Sequence, residues 1–244
     1  MSKRGVMKIK TKFGIWYEKW IEKWIPAYGV LSLISCFTLN CLIYWGVQLA
    51  TKNVKRYDFT LAFDRSVPFV MQWVYIYFIC FAFWAINYIL ITREGRKPWF
   101  QFAVADMSSR IICGIIFILI PTTNVRPEII GNSLSANLMR FLYWIDSPTN
   151  LFPSIHCLVS WFCFIGIRKS KKIPLWYKIF SCIFALLVCA STQFTKQHYI
   201  VDVISGIAIA ELCFYLSHHN LLYKKLEAVF EKINLKVFGD FYGK

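Results

Sequence analysis

The chain has 244 residues, 57% of them hydrophobic and 18% aromatic, and a formal net charge of +15. That is more apolar surface than a soluble domain of this length buries, and several apolar runs approach the ~20 residues a bilayer-crossing helix needs. The basic residues cluster between these runs and at both ends of the sequence, with no base-reading motif, which excludes nucleic acid as a partner and points to anionic lipid surfaces.

Continuous runs, rather than alternating strands of ~10 residues, predict an all-α polytopic membrane protein and not a β-barrel. The nine cysteines all sit inside apolar runs without a C-x-x-C pair, so they read as small packing residues. The first run is longer than the apolar part of a signal peptide and ends Val47-Gln48-Leu49-Ala50, without a small-x-small cleavage pattern.

In chain order, residues 1–26 form a basic aromatic arm, with Trp16, Trp20 and Trp24 on one predicted helical face lying in the membrane interface. Residues 27–219 are predicted to form a six-span membrane domain. The spans are Gly29–Leu49, Val67–Ile91, Trp99–Ile120, a short Ser154–Ile167, Leu175–Thr192 and Tyr199–Leu216. Asp106 and Arg110, inside the third span, are spaced to pair at i,i+4. The long 121–153 loop carries Leu134, Leu138, Phe141 or Leu142, and Ile145 at helical spacing, predicting a surface helix. Residues 220–244 form a basic amphipathic tail. Twenty Lys and Arg fall on the side of the two termini against seven in the opposite loops, which predicts cytoplasmic termini. The compact length without appended domains is that of a bacterial cytoplasmic membrane protein, and a homo-oligomer is left open.

This topology brings three segments to the outer face: Arg126-Pro127, Ser154 to His156, and Ser191 to Asp202. Together they offer positive charge, hydroxyls, two imidazoles and a helix N-terminus, a combination suited to a phosphate oxyanion. Backbone N–H groups at Ser154 and Ile155 can cradle phosphate oxygens while Arg126 forks two of them. His198 is placed as nucleophile, with Asp202 one turn on to accept its ring N–H. His156 is placed to protonate the leaving alcohol and then activate water. Glu211, deep in the last span, needs a partner that the sequence does not name.

Pro153-Ser154-Ile155-His156 resembles the P-S-G-H element, and Ser191 to Asp202 the S-R-x5-H-x3-D element, of the type-2 phosphatidic acid phosphatase superfamily of lipid phosphatases and phosphotransferases. Asn150 to His156 with Ser191 to Asp202 looks most like the branch that includes inositol-phosphoryl transferases. The resemblance implies a phosphohistidine intermediate on His198, with His156 as acid–base, Asp202 as orienter and no metal or other cofactor. It implies a phospholipid or polyprenyl phosphate substrate reached from membrane lipid. Two departures stand out: the lysine of the family's K-x6-R-P element is Leu119 here, and the arginine of its third element is Thr192. Lys196 is the expected replacement charge; Thr122, Thr123, Ser191 and Thr192 offer neutral donors. Hydrolysis of a lipid phosphate or diphosphate monoester is the leading expectation. Transfer to an alcohol acceptor is the alternative, and a non-catalytic transporter or scaffold on the same fold is the third.

Overall fold

A computed structural model describes residues 10–239. Lys3, Arg4, Lys8 and Lys244 of the expected arm and tail lie outside the described residues. Apolar segments with no water to satisfy their backbone can only close hydrogen bonds within themselves, and the described chain is helical throughout its apolar runs, with no strand. The helices are α1 (Lys12–Trp20), α2 (Ala27–Ala50), α3 (Ala62–Ser66), α4 (Val74–Thr92, entered through a 3-10 turn at Met71–Trp73), α5 (Arg96–Leu119), α6 (Leu134–Ile145), α7 (Ile155–Ile165), α8 (Leu175–Phe194), α9 (Ile200–His219) and α10 (Leu222–Phe238).

Five stretches are long and apolar enough to cross a bilayer: Ala27–Ala50, Met71–Thr92, Arg96–Leu119, Leu175–Phe194 and Ile200–His219. The chain is therefore a multi-pass membrane protein. The expected fourth span is shorter than predicted, because Ser154 caps α7 through its hydroxyl (3.2 Å from the Cys157 N–H) and the helix stops at Gly166. Eleven residues rise only ~16 Å, about half a hydrocarbon core, so α7 is enclosed by α8, α9 and α4 instead of spanning by itself.

The core is built on α5, which packs against α2, α9, α10 and α4 and fully buries Trp99, Phe100, Phe102, Cys113 and Phe117. Inside it, Arg110 Nη2 lies 2.7 Å from Asp106 Oδ1, and the Tyr88 hydroxyl donates to the same oxygen at 2.6 Å. This is the expected i,i+4 pair. Glu211 also acquires a partner: Arg168 grips it with two bonds of 2.6 and 2.9 Å, and Trp161 Nε1 donates at 2.9 Å.

One surface helix departs from expectation, and a second forms where expected. α1 ends at Trp20, so Trp24 is not on its face; the helix docks instead on α10 through Tyr17 and Phe238, with Thr11 Oγ1 donating to the Val237 carbonyl at 2.6 Å. In α6 the buried face is Ala136, Met139 and Leu142 against Val74 and Tyr77, while Leu134, Phe141 and Ile145 are exposed. All nine cysteines are free thiols.

Arg110 Nε and Nη1 have no acceptor among the described residues, so Asp106 carries nearly all the compensation for this buried cation. Asp106→Asn should destabilise the protein by ~3–5 kcal/mol, whereas Asp106→Leu with Arg110→Met should recover most of that loss. Thermal unfolding in detergent micelles checks this, and a single variant as stable as wild type would show that the pair is not what compensates Arg110.

Candidate active site

The first turns of α7 and α9 are bound to each other. The Ser154 N–H donates to the Asp202 carbonyl at 3.0 Å, and Gly206 lies so close to α7 that a Cβ there would sit 2.6 Å from the Ser154 carbonyl oxygen. This contact sets the two histidine rings at a centroid separation of 5.8 Å.

His198 is held at one nitrogen. Its Nδ1 lies 3.0 Å from the Leu151 carbonyl oxygen and 3.4 Å from Asp202 Oδ2. Both oxygens accept only, so Nδ1 carries the proton and Nε2 the lone pair. Asp202 is itself fixed, because Oδ2 accepts the Tyr199 N–H at 2.8 Å and caps α9. The backbone of His198 is pinned by Gln193 Nε2 on its carbonyl (2.8 Å) and by the Thr192 carbonyl on its N–H (3.1 Å). Burial alone would lower the His198 pKa, but the hydrogen bond and charge of Asp202 outweigh it and hold it above the usual imidazole value.

His156 has a chain of partners that sequence spacing does not reveal. Its Nδ1 is 3.3 Å from the Tyr77 hydroxyl, which is 3.2 Å from Asp146 Oδ2; Tyr44 donates a short bond to Asp146 Oδ1. The carboxylate accepts a hydrogen bond from each tyrosine hydroxyl. The Tyr77 oxygen then accepts from His156 Nδ1–H, leaving Nε2 for chemistry. Tyr77, Trp84 and Phe81 surround the imidazole at centroid distances of 4.6, 5.4 and 6.2 Å. Tyr44 and Tyr77 lie in α2 and α4, more than 75 residues upstream, so only the packing of the bundle brings them here.

The other expected site residues are distributed unevenly. The N–H groups of Ile155 and His156 open α7 and have no acceptor among the described residues, while that of Ser154 is taken by Asp202. Arg126 is committed to the protein: Nη1 donates to the carbonyls of Asp146 and Tyr143, Nη2 donates to Gln197 Oε1 at 2.6 Å, and the guanidinium lies over the Tyr143 ring. Lys196 is placed elsewhere than expected, its ammonium donating to the carbonyls of Asp64 (2.8 Å) and Val67. Ser191 and Thr192 donate back into α8, to Val188 and Cys189 at 2.7 and 2.8 Å. Thr122 Oγ1 receives the N–H groups of Leu151 and Phe152, and Thr123 donates to Pro148, so these two shape the loop before α7. Leu119 is 71% exposed on the outside of α5.

Beside the histidines is a cavity of ≈ 10 Å³ lined by Tyr44, Asp146, Thr149, Asn150, Leu151, Ile155, His156, Gln197 and His198, room for about one water. Tyr44, Asp146, Ile155 and His156 also border an apolar groove of ≈ 600 Å³ between α2 and α4, walled by Phe37, Trp45, Phe81 and Trp84. Among the described residues no three His, Cys, Asp or Glu side chains gather as metal ligands would.

No curated protein and no solved structure matches the chain. A family profile does match, over residues 54–216, and that stretch contains Arg126, both histidines of the pair, Asp146 and Asp202. The chain belongs to the PAP2 superfamily, membership that marks it as a membrane enzyme of phosphatase or phosphotransferase type acting on a phosphate ester.

Proposed function

We propose that the protein transfers a phosphoryl unit from a lipid phosphate ester through a covalent intermediate on His198. The observation that carries this reading is the facing pair of imidazoles, each tied at Nδ1 to acceptors that leave Nε2 unclaimed. In the first step His198 Nε2 attacks phosphorus, the N–P bond forms, the P–O bond to the leaving alcohol breaks, and His156, entering the step protonated at both nitrogens, gives that oxygen its Nε2 proton. Asp202 and the Leu151 carbonyl stabilise the positive charge that builds on His198. In the second step His156 removes a proton from the incoming hydroxyl, whose oxygen displaces His198 from phosphorus. No step requires a metal ligand set.

The lipid character rests on the groove, which runs from His156 along the apolar faces of α2 and α4 and is sized for a hydrocarbon chain. The excess of Lys and Arg in the segments assigned to the side of the termini supports a cytoplasmic location for that side and, with it, an outer-face site for the histidine pair. Hydrolysis, with water as acceptor, is the first reading. Transfer to an alcohol acceptor uses the same atoms and is favoured by one feature: beside the one-water cavity, His156 borders the groove, a largely apolar route suited to a lipid alcohol.

Two esters differing only in their leaving group test the roles. His198→Ala should lower kcat/KM at least ~10³-fold for both. His156→Ala should lose ~10²-fold or more on an alkyl alcohol leaving group, yet be nearly spared on p-nitrophenolate, which needs no proton. Tyr77→Phe should show the same leaving-group pattern in weaker form. Equal losses on both esters would remove His156 from the role of general acid.

The pH profile tests Asp202. Because Asp202 raises the His198 pKa, neutral nucleophile is lost on the acid side at a pH above the ordinary imidazole value of ~6.5. Asp202→Asn should move that acid limb to lower pH while lowering the plateau, since the carboxylate no longer stabilises the cation formed on attack. An unmoved limb would mean that another group sets it.

A further inference from the structure

The cavity beside the histidines is lined by no Lys and no Arg, and one of its walls is the Asp146 carboxylate. Arg126 and Lys196, the two cations expected at this site, are engaged by protein oxygens, Arg126 by Gln197 and two carbonyls, Lys196 by the carbonyls of Asp64 and Val67. Besides the two imidazoles, what the cavity offers is neutral. Gln197 is 1% exposed, and Arg126 holds its Oε1 at 2.6 Å, which fixes the amide so that Nε2 is the free end; that Nε2 has no acceptor among the described residues. Thr149 Oγ1, on the same lining, is likewise buried without a partner. Unpartnered buried donors are costly unless something else completes them. The N–H groups of Ile155 and His156 add two more at the α7 N-terminus.

We propose that Gln197, oriented by Arg126, binds a phosphoryl oxygen, and that with Thr149 and the α7 N-terminus it forms a neutral cradle selective for a phosphodiester. The inference rests on His198 being the nucleophile. A phosphate monoester carries a charge near −2 at neutral pH, because its second pKa is ~6, whereas a diester carries −1. These four neutral donors, two of them at a helix N-terminus, suit a single charge, and a second charge would face Asp146 with no Lys or Arg on the cavity's lining to meet it. Attack by His198 Nε2 on a diester breaks one of its two P–O ester bonds, and that alcohol leaves with the His156 proton. The other ester bond stays intact on the phosphohistidine until an alcohol or water takes the unit and the N–P bond breaks. The structure thus assigns Gln197 as a specificity-determining residue and Arg126 as its positioning residue.

The test uses the full chain in detergent micelles with 4-decyl-2-nitrophenyl phosphate and its methyl ester, two probes that share a chain and a leaving group and differ by one charge. Wild type should prefer the methyl diester by at least ~10-fold in kcat/KM. Gln197→Leu should lower the diester rate ~10²-fold, the scale of one lost oxyanion donor. Gln197→Glu, which keeps the Arg126 contact and the side-chain shape, should do so at least as strongly. Gln197→Lys should shift the preference towards the monoester, a change that intrinsic probe reactivity cannot cause. Wild-type preference for the monoester overturns the charge selectivity. Diester rates within twofold of wild type in folded Gln197→Leu or Gln197→Glu, with His198→Ala inactive, overturn the Gln197 assignment alone. An active His198→Ala removes the nucleophile on which both rest.

Discussion

The contact on which the site depends is the join between the first turns of α7 and α9. A hydrogen bond from the Ser154 N–H to the Asp202 carbonyl, with Gly206 pressed against the Ser154 carbonyl, fixes two helix starts that are nearly fifty residues apart in sequence. Any side chain at position 206 would meet backbone, which cannot rotate away, so the approach needs glycine. From this join the two imidazoles follow: His198 just before α9, His156 in the first turn of α7. The short length of α7 belongs to the same design, since a helix enclosed by α8, α9 and α4 can begin well inside the bundle.

Hydrogen-bond direction then does the electronic work. Each histidine meets oxygen at Nδ1, directly for His198 and through Tyr77 for His156, and each is backed by a carboxylate, Asp202 or Asp146. The environments differ in a way that suits opposite roles. His198 is bound to a carbonyl and the capping carboxylate of its own helix, a rigid seat for a nucleophile. His156 is packed among three aromatic rings at the edge of the groove, where a leaving alcohol would depart. The cradle proposed between them would be made of amide, hydroxyl and backbone donors, and Arg126 holds one of these, Gln197, by its Oε1.

Much of this was legible in the sequence because it is local. Apolar run length gave the long helices, and the i,i+4 spacings announced two contacts, that of Asp106 with Arg110 within α5 and that of His198 with Asp202 across the start of α9. What failed was direction. Lys196 stands two residues from His198, yet its backbone lies in the left-handed region at φ 53°, and its ammonium reaches the loop around α3. The exposed and buried faces of α6 are set by Val74 and Tyr77, residues of another helix, and periodicity alone cannot tell which side of an amphipathic stripe meets protein when the other side can meet lipid. Tyr44, Tyr77 and Gln197 carried no signal because their roles come from long-range packing; Glu211 found Arg168 for the same reason.

The central claim is that phosphorus becomes bonded to His198. A lipid ester labelled with radioactive phosphate, mixed with the protein and quenched rapidly at alkaline pH, tests it directly once the labelled peptide is sequenced. An acid-labile, alkali-stable label is expected on His198, absent from His198→Ala and persisting longer in His156→Ala, where the second step lacks its base. A label on Cys157 or His156, or turnover with no label under conditions that trap the intermediate, would contradict it.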